Sequence, residues 1–169
     1  MTPTSNRRIA VVATSMLALD QVTKFVVNQC LVEGGEKVLI PGFFKFVNWK
    51  NTGAAWSLFT GKNFLLVIVA LVALYILARS RHHFEVHTGL GQISLGLIFG
   101  GITGNLLDRI FAHRVTDFIY FYMDRRGGGQ IGFPAFNVAD SAICIGVALI
   151  FILSWREDKL PAAPAQPTV

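Results

Sequence analysis

The chain has 169 residues, 53% of them apolar and only 15% charged, with a mean hydropathy of +0.52. That is too oily for an ordinary water-soluble domain and reads as an integral membrane protein. The net charge of +5 does not point to nucleic acid, because the basic residues are scattered through loops and helix ends without a basic stripe; membrane headgroups suit them better.

A membrane span needs roughly 20 mostly apolar residues. Four segments qualify: about Arg8 to Asn28, Asn63 to Arg79, Leu90 to Ile110 and Asn137 to Trp155. The first follows Arg7 and Arg8 in the manner of a secretory signal. It continues through Asp20-Gln21-Val22-Thr23-Lys24 without the usual small-residue cleavage site, so it is read as the first helix. Asp20 and Lys24 are one helical turn apart and can pair, which lowers the cost of holding both near the membrane boundary; contact with a substrate is the alternative. Cys30 follows this span and Cys144 lies in the fourth. Nothing in the sequence brings them together, and both are expected to be unpaired.

Residues from about 30 to 60 carry turn residues at Gly34-Gly35 and Pro41-Gly42 and β-favouring stretches over Lys37 to Ile40 and Phe43 to Trp49. This predicts a small extramembrane sheet. Its aromatics, Phe43, Phe44, Phe46 and Trp49, suit the membrane interface or packing on the protein equally well. Asn51-Thr52-Gly53-Ala54-Ala55-Trp56 opens the second helical region, where Asn51 would cap a helix or hold a peptide carbonyl.

His82, His83 and His87 fall in the short loop after the second span, with Glu85 as the nearby carboxylate. They are read as solvated rather than as a zinc site, and no HExxH string occurs. At the end of the third span, Asn105 lies three residues before Asp108 and four before Arg109. All three face one side, as a polar network that anchors the helix end or supports catalysis. Gly100, Gly101 and Gly104 beside it allow close approach of a helix or of a bound peptide backbone.

From about Phe111 to Phe136 the chain is read as a loop containing the flexible turn Arg125-Arg126-Gly127-Gly128-Gly129. Asp117 and Asp140 each stand where a span meets a loop. A carboxylate near the hydrocarbon boundary is costly unless paired, hydrated or used, and two of them suggest shared proton chemistry. No serine or cysteine nucleophile competes: Ser141 has no histidine, lysine or Gly-x-Ser-x-Gly elbow around it. If the two aspartates approach, they cannot both ionise easily and hold one proton between them. The ionised member can then activate water against a peptide carbonyl while the protonated one supports the oxyanion and the leaving amine, with no metal or cofactor called for.

Arg7 and Arg8, Arg79 and Arg81, and Arg156 and Lys159 flank the spans on one side, which places both termini and the loop of residues 80–89 in the cytoplasm. The opposite side carries more basic residues in total, on longer loops. Residues 160–169 are Pro/Ala-rich and expected to be disordered, leaving one four-helix membrane domain over residues 1–159.

Taken in order, the strings Asp20 to Lys24, Asn51 to Trp56, Gly104 to Arg109, Val115 to Phe118 and Phe133 to Ser141 closely resemble the blocks of bacterial lipoprotein signal peptidase, the type II signal peptidase, over roughly residues 16–145. The resemblance implies an inner-membrane aspartyl protease, inhibited by globomycin, that removes the signal peptide of a prolipoprotein just before its diacylglyceryl-modified cysteine. The family's catalytic dyad falls on Asp117 and Asp140. Its supporting residues fall on Asp20, Lys24, Asn51, Asn105, Asp108, Arg109 and Asn137, with Gly101, Gly104 and Ala139 beside them. The implied fold class is an all-α membrane protein: four transmembrane helices, a small β-sheet cradle over Lys37 to Lys50 and a periplasmic loop over the site, which lies near the outer leaflet. A monomer is expected. One departure from the family is visible, a longer stretch between the aspartates through Asp124 to Gly132, with Asp124 read as solvated. The rival class is a small transporter or channel subunit whose aspartates bind protons or cations; it would be marked by inverted repeats or broken helices, and neither is evident.

Overall fold

The computed structural model describes residues 3–53, 58–81 and 88–157. In chain order the elements are α1 (Pro3–Cys30), β1 (Glu36–Ile40), β2 (Phe44–Asn51), α2 (Asn63–Ser80), α3 (Gly89–Phe111), β3 (Val115–Asp124), β4 (Gln130–Gly132) and α4 (Val138–Glu157). All four helices are long and apolar enough to cross a membrane. The histidine cluster at residues 82–87 and the tail from residue 160 lie outside the described residues.

α3 is the central helix. Its apolar window is 61% buried, against 6% for α2, and its Leu95 and Ile98 form a core with Ile9 of α1 and Leu77 of α2. In lipid there is little hydrophobic force between helices, so close backbone approach at small residues takes its place. Gly96, Gly100 and Gly104 face α1: a Cβ at each would come within 2.6 Å of Val12 Cβ, the Ala13 carbonyl oxygen and Asp20 Oδ2, respectively. Gly101 faces α4, where a Cβ would come to 2.5 Å from the Ala139 carbonyl oxygen. The small residues therefore serve helix contacts, one of the two roles the sequence left open. Gly101→Ala is expected to destabilise the fold by about 1–3 kcal/mol through overpacking against rigid backbone. A thermal melt in detergent checks this; an unchanged midpoint would show that α4 can retreat freely.

The extramembrane part is larger than the sequence reading allowed. Four antiparallel strands form one sheet in the order β1-β2-β3-β4, so four helices stand beside a small sheet, as expected, but the sheet has two strands more than the cradle segment supplies. β1 and β2 fall where the cradle was expected. β3 and β4, by contrast, occupy the region read as a loop. Val115–Asp124 is rich in β-branched and aromatic residues, and it pairs with β2 with Trp49 opposite Asp117, after a register shift between Phe46 and Trp49. The glycine-rich stretch is the hairpin turn: Gly128 and Gly129 have φ of 86° and 80°, and Arg125 N–H donates to the Gly129 carbonyl at 3.0 Å.

The chain between β4 and α4 is tied to β3 as well. Phe118 and Ile119 N–H both donate to the Phe136 carbonyl, at 3.0 and 2.9 Å. Aromatic rings pack on one another across the strands, with Phe44 stacked on Phe121 at 5.0 Å and Trp49 tilted against Tyr120 at 4.8 Å. Phe43 remains exposed. Cys30 and Cys144 are both unpaired.

Candidate active site

α4 begins with a reciprocal cap. Asn137 Oδ1 accepts from Asp140 N–H at 3.0 Å, and Asp140 Oδ2 accepts from Asn137 N–H at 3.2 Å, the arrangement of a capping box. An aspartate in the first helical turn also suits the positive end of the helix dipole. The same asparagine reaches across to β3, where its Nδ2 donates to Asp117 Oδ1 at 2.8 Å. One amide therefore bridges two aspartates that come from a strand and a helix.

The remaining carboxylate oxygens are held by two more amides. Asn51 Nδ2, at the end of β2, donates to Asp117 Oδ2 at 2.9 Å, and Asn105 Nδ2, on α3, donates to Asp140 Oδ1 at 2.7 Å. Each amide is oriented by what its own oxygen accepts: Gly53 N–H for Asn51 at 2.8 Å, and the Lys24 ammonium for Asn105 at 3.0 Å. Asn51 ends β2, where its side chain accepts from Gly53 N–H and holds Asp117, and among the described residues α2 starts at Asn63.

Behind this layer lies a buried ion cluster. Lys24 Nζ is 2.8 Å from Asp20 Oδ2 and 2.7 Å from Asp108 Oδ2. Asp20, fully buried, also accepts from Ala139 N–H at 3.0 Å. Through Lys24 and Asp20 the cluster fixes Asn105 and the start of α4 together. Gln21 and Gly53 are participants that the sequence reading left without a role. Gln21 Nε2 donates to Asp20 and Asp108 at 3.1 Å, and the Gly53 carbonyl accepts from Arg109 Nη2 at 3.1 Å. Both lie inside the recognised strings, and a polar residue between Asp20 and Lys24 was the available signal for Gln21.

Asp117, Asp140, Asn51, Asn105 and Arg109 line a cavity of about 1070 Å³ whose other walls include Trp49, Tyr120, Phe133, Phe136 and Ile143. Asp20, Lys24 and Asp108 stand behind it, and Gly101, Gly104 and Ala139 are packing positions. Asp124 is exposed, as expected, and accepts from Gln130 at 3.1 Å. Among the described residues no group of three or more His, Cys, Asp or Glu is placed to hold a metal ion.

Burial, and after it the charge of Asp140, pushes the Asp117 carboxyl up to about 6, against the opposing pull of its bonds to Asn51 and Asn137 and the charge of Lys24. A carboxyl whose folded value exceeds its ordinary 3.8 favours the folded state most below pH 4 and loses that contribution as pH rises through 6. The melting temperature of the wild type should therefore fall more between pH 4 and pH 7 than that of Asp117→Asn. Equal pH dependence in the two proteins would mean that Asp117 titrates normally.

Residues 12–156 match the family model described as Signal peptidase (SPase) II. The chain is 40% identical over 157 residues to a lipoprotein signal peptidase of Maridesulfovibrio salexigens, covering 88% of this chain and 95% of that one. It is 35% identical over 150 residues to a lipoprotein signal peptidase of Bacillus pumilus, covering 88% and 93%. A solved structure described as a bacterial membrane enzyme superposes with a TM-score of 0.77 at 29% identity, covering 93% of this chain and 94% of that one.

Proposed function

This chain belongs to the signal peptidase II family, and from that premise we propose that it is an aspartyl endopeptidase of diacylglyceryl-modified prolipoproteins, cutting just before the lipidated cysteine. The observation that carries the reading is the Asn137 bridge, which joins Asp117 and Asp140 at the wall of one large cavity.

In this reading the two carboxyls share one proton. The ionised member draws a proton from water as it attacks the scissile carbonyl, and the protonated member hydrogen-bonds the developing oxyanion, then helps to protonate the departing amine. The pair keeps its proton to a higher pH than an ordinary carboxyl because burial and mutual repulsion disfavour a second charge, in line with the raised Asp117. Asn51, Asn105 and Asn137 hold the carboxyls in place. Arg109, anchored on the Gly53 carbonyl, sets a positive charge beside both. Asp20, Lys24 and Asp108 support from behind.

The mixed lining suits this substrate. Apolar and aromatic walls offer room to acyl chains and a signal helix, while the polar floor meets a peptide bond. The chain is a multi-pass membrane protein. We place it in the bacterial inner membrane as a monomer, with both termini cytoplasmic and the sheet end near the outer leaflet, following the flanking arginines.

The test is cleavage of a diacylglyceryl-modified prolipoprotein by the purified protein in detergent, followed as a gel shift, beside the unlipidated precursor and with globomycin added. Release of the signal peptide from the lipidated form alone, blocked by globomycin, is the expected result. A folded protein that cuts no lipidated precursor would overturn the reading.

A further inference from the structure

Lys45 is a cation 3% exposed in the middle of the sheet, far in sequence from every residue of the proposed dyad. Its ammonium donates to Glu36 Oε2 of β1 at 2.6 Å and to Gln130 Oε1 of β4 at 2.9 Å. It also lies over two rings of β3, at 4.7 Å from the centre of Tyr122 and 5.5 Å from that of Tyr120. One side chain on β2 therefore engages all four strands. Buried charges are rarely retained for stability alone, because an apolar replacement is often no worse, and a role in fixing one geometry is a better account of them.

What Lys45 fixes is the β3–β4 hairpin. Gln130, its partner, opens the short strand β4, whose pairing covers only Tyr122 to Asp124. Past this short ladder, Phe133 N–H donates to the Phe121 carbonyl and Phe136 exchanges backbone bonds with Ile119; at the start of β4, the Lys45 and Asp124 bonds to the Gln130 side chain add to the three ladder positions. From β4 the chain runs directly into Gly132 to Phe136, which forms one wall of the cavity. Tyr120, under the Lys45 ammonium, lines the same cavity and presses on Gly132, where a Cβ would come to 2.5 Å from Tyr120 Cζ.

We propose that Lys45 is a positioning residue: through Gln130 and the two tyrosine rings it sets the Gly132–Phe136 wall against the incoming substrate, and so governs substrate capture rather than the chemical step. The proposal rests on the peptidase reading for its kinetic consequence. It extends that reading to the stretch from Asp124 to Gly132.

The experiment pairs Lys45→Met, which keeps the buried stem and removes the charge, with Lys45→Arg, which keeps the charge. Hydrogen–deuterium exchange and steady-state cleavage of a diacylglyceryl-cysteine peptide are both read in detergent. Lys45→Met should speed exchange over residues 130–136 while leaving residues 105–109 as in wild type. It should raise KM about three- to tenfold with kcat within twofold, and Lys45→Arg should return most of the loss. Unchanged exchange over residues 130–136 would overturn the proposal, as would a fall in kcat at constant KM. Exchange is measured without turnover, so a failure of the peptidase reading leaves this arm intact and distinguishable.

Discussion

Asp117→Asn and Asp140→Asn are each expected to lower cleavage of a lipidated prolipoprotein by about 10²- to 10⁴-fold, the range over which a positioned acid or base contributes. Asparagine is the informative replacement because it preserves much of the local architecture. At residue 140 its side-chain oxygen can still accept from Asn137 N–H and hold the start of α4, whereas alanine would also remove the cap. Residues that act as one unit are not additive, so the double variant should be little slower than either single one. The measurement is initial rate by gel shift, with the melting temperature of each variant recorded alongside. Either asparagine variant retaining wild-type rates would remove that residue from the chemistry, and multiplicative losses in the double variant would show two independent roles.

The largest effect on stability is expected from Lys24→Met. The ammonium is 4% exposed and stands between Asp20, fully buried, and Asp108. Removing it leaves two inward carboxylates facing each other with Gln21 and Ala139 N–H as their donors. Breaking one side of a buried ion pair costs about 3–5 kcal/mol. Asp108→Asn should cost less, because Asp108 is partly exposed and its removal leaves the Lys24–Asp20 pair intact. Thermal unfolding in detergent compares the two. A shift for Lys24→Met of less than about 2 °C, which corresponds to under ~1 kcal/mol for a chain of this size, would mean that the cluster is hydrated and the cation dispensable.

The helices were readable because their signal is cumulative: a run of apolar residues long enough to cross a bilayer has few other interpretations. The pairing of Asp20 with Lys24 followed from helical spacing and the structure shows it; of the three polar residues at the end of α3, Asn105 and Asp108 both meet Lys24, while Arg109 bonds the Asn105 and Gly53 carbonyls. β3 was less legible. Its strand character depends on a partner, β2, that lies more than sixty residues earlier in the chain, and the glycines after it read as looseness where they in fact close a hairpin. For Asn51 the local sequence left a cap and a carbonyl contact both open, and only the resemblance placed it beside the dyad, because its bond to Asp117 crosses between strands. Lys45 belongs here too, since a lysine alternating with aromatics in a strand reads as a solvent-facing residue until the neighbouring strands are laid beside it.

The contrast between α2 and α3 bears on how each can change. A helix turns by about 100° per residue, so losing one residue from the middle of α3 would swing Asn105 and Arg109 away from Asp140 and Gly53 and turn the glycine seams out of register with α1 and α4 together. The same loss in α2, whose window is 6% buried, would replace one lipid-facing side chain with another. Drift in length and composition is thus open to α2 so long as it stays apolar, while α3 is fixed residue by residue, acting as the ruler from which the positions of the other parts are measured.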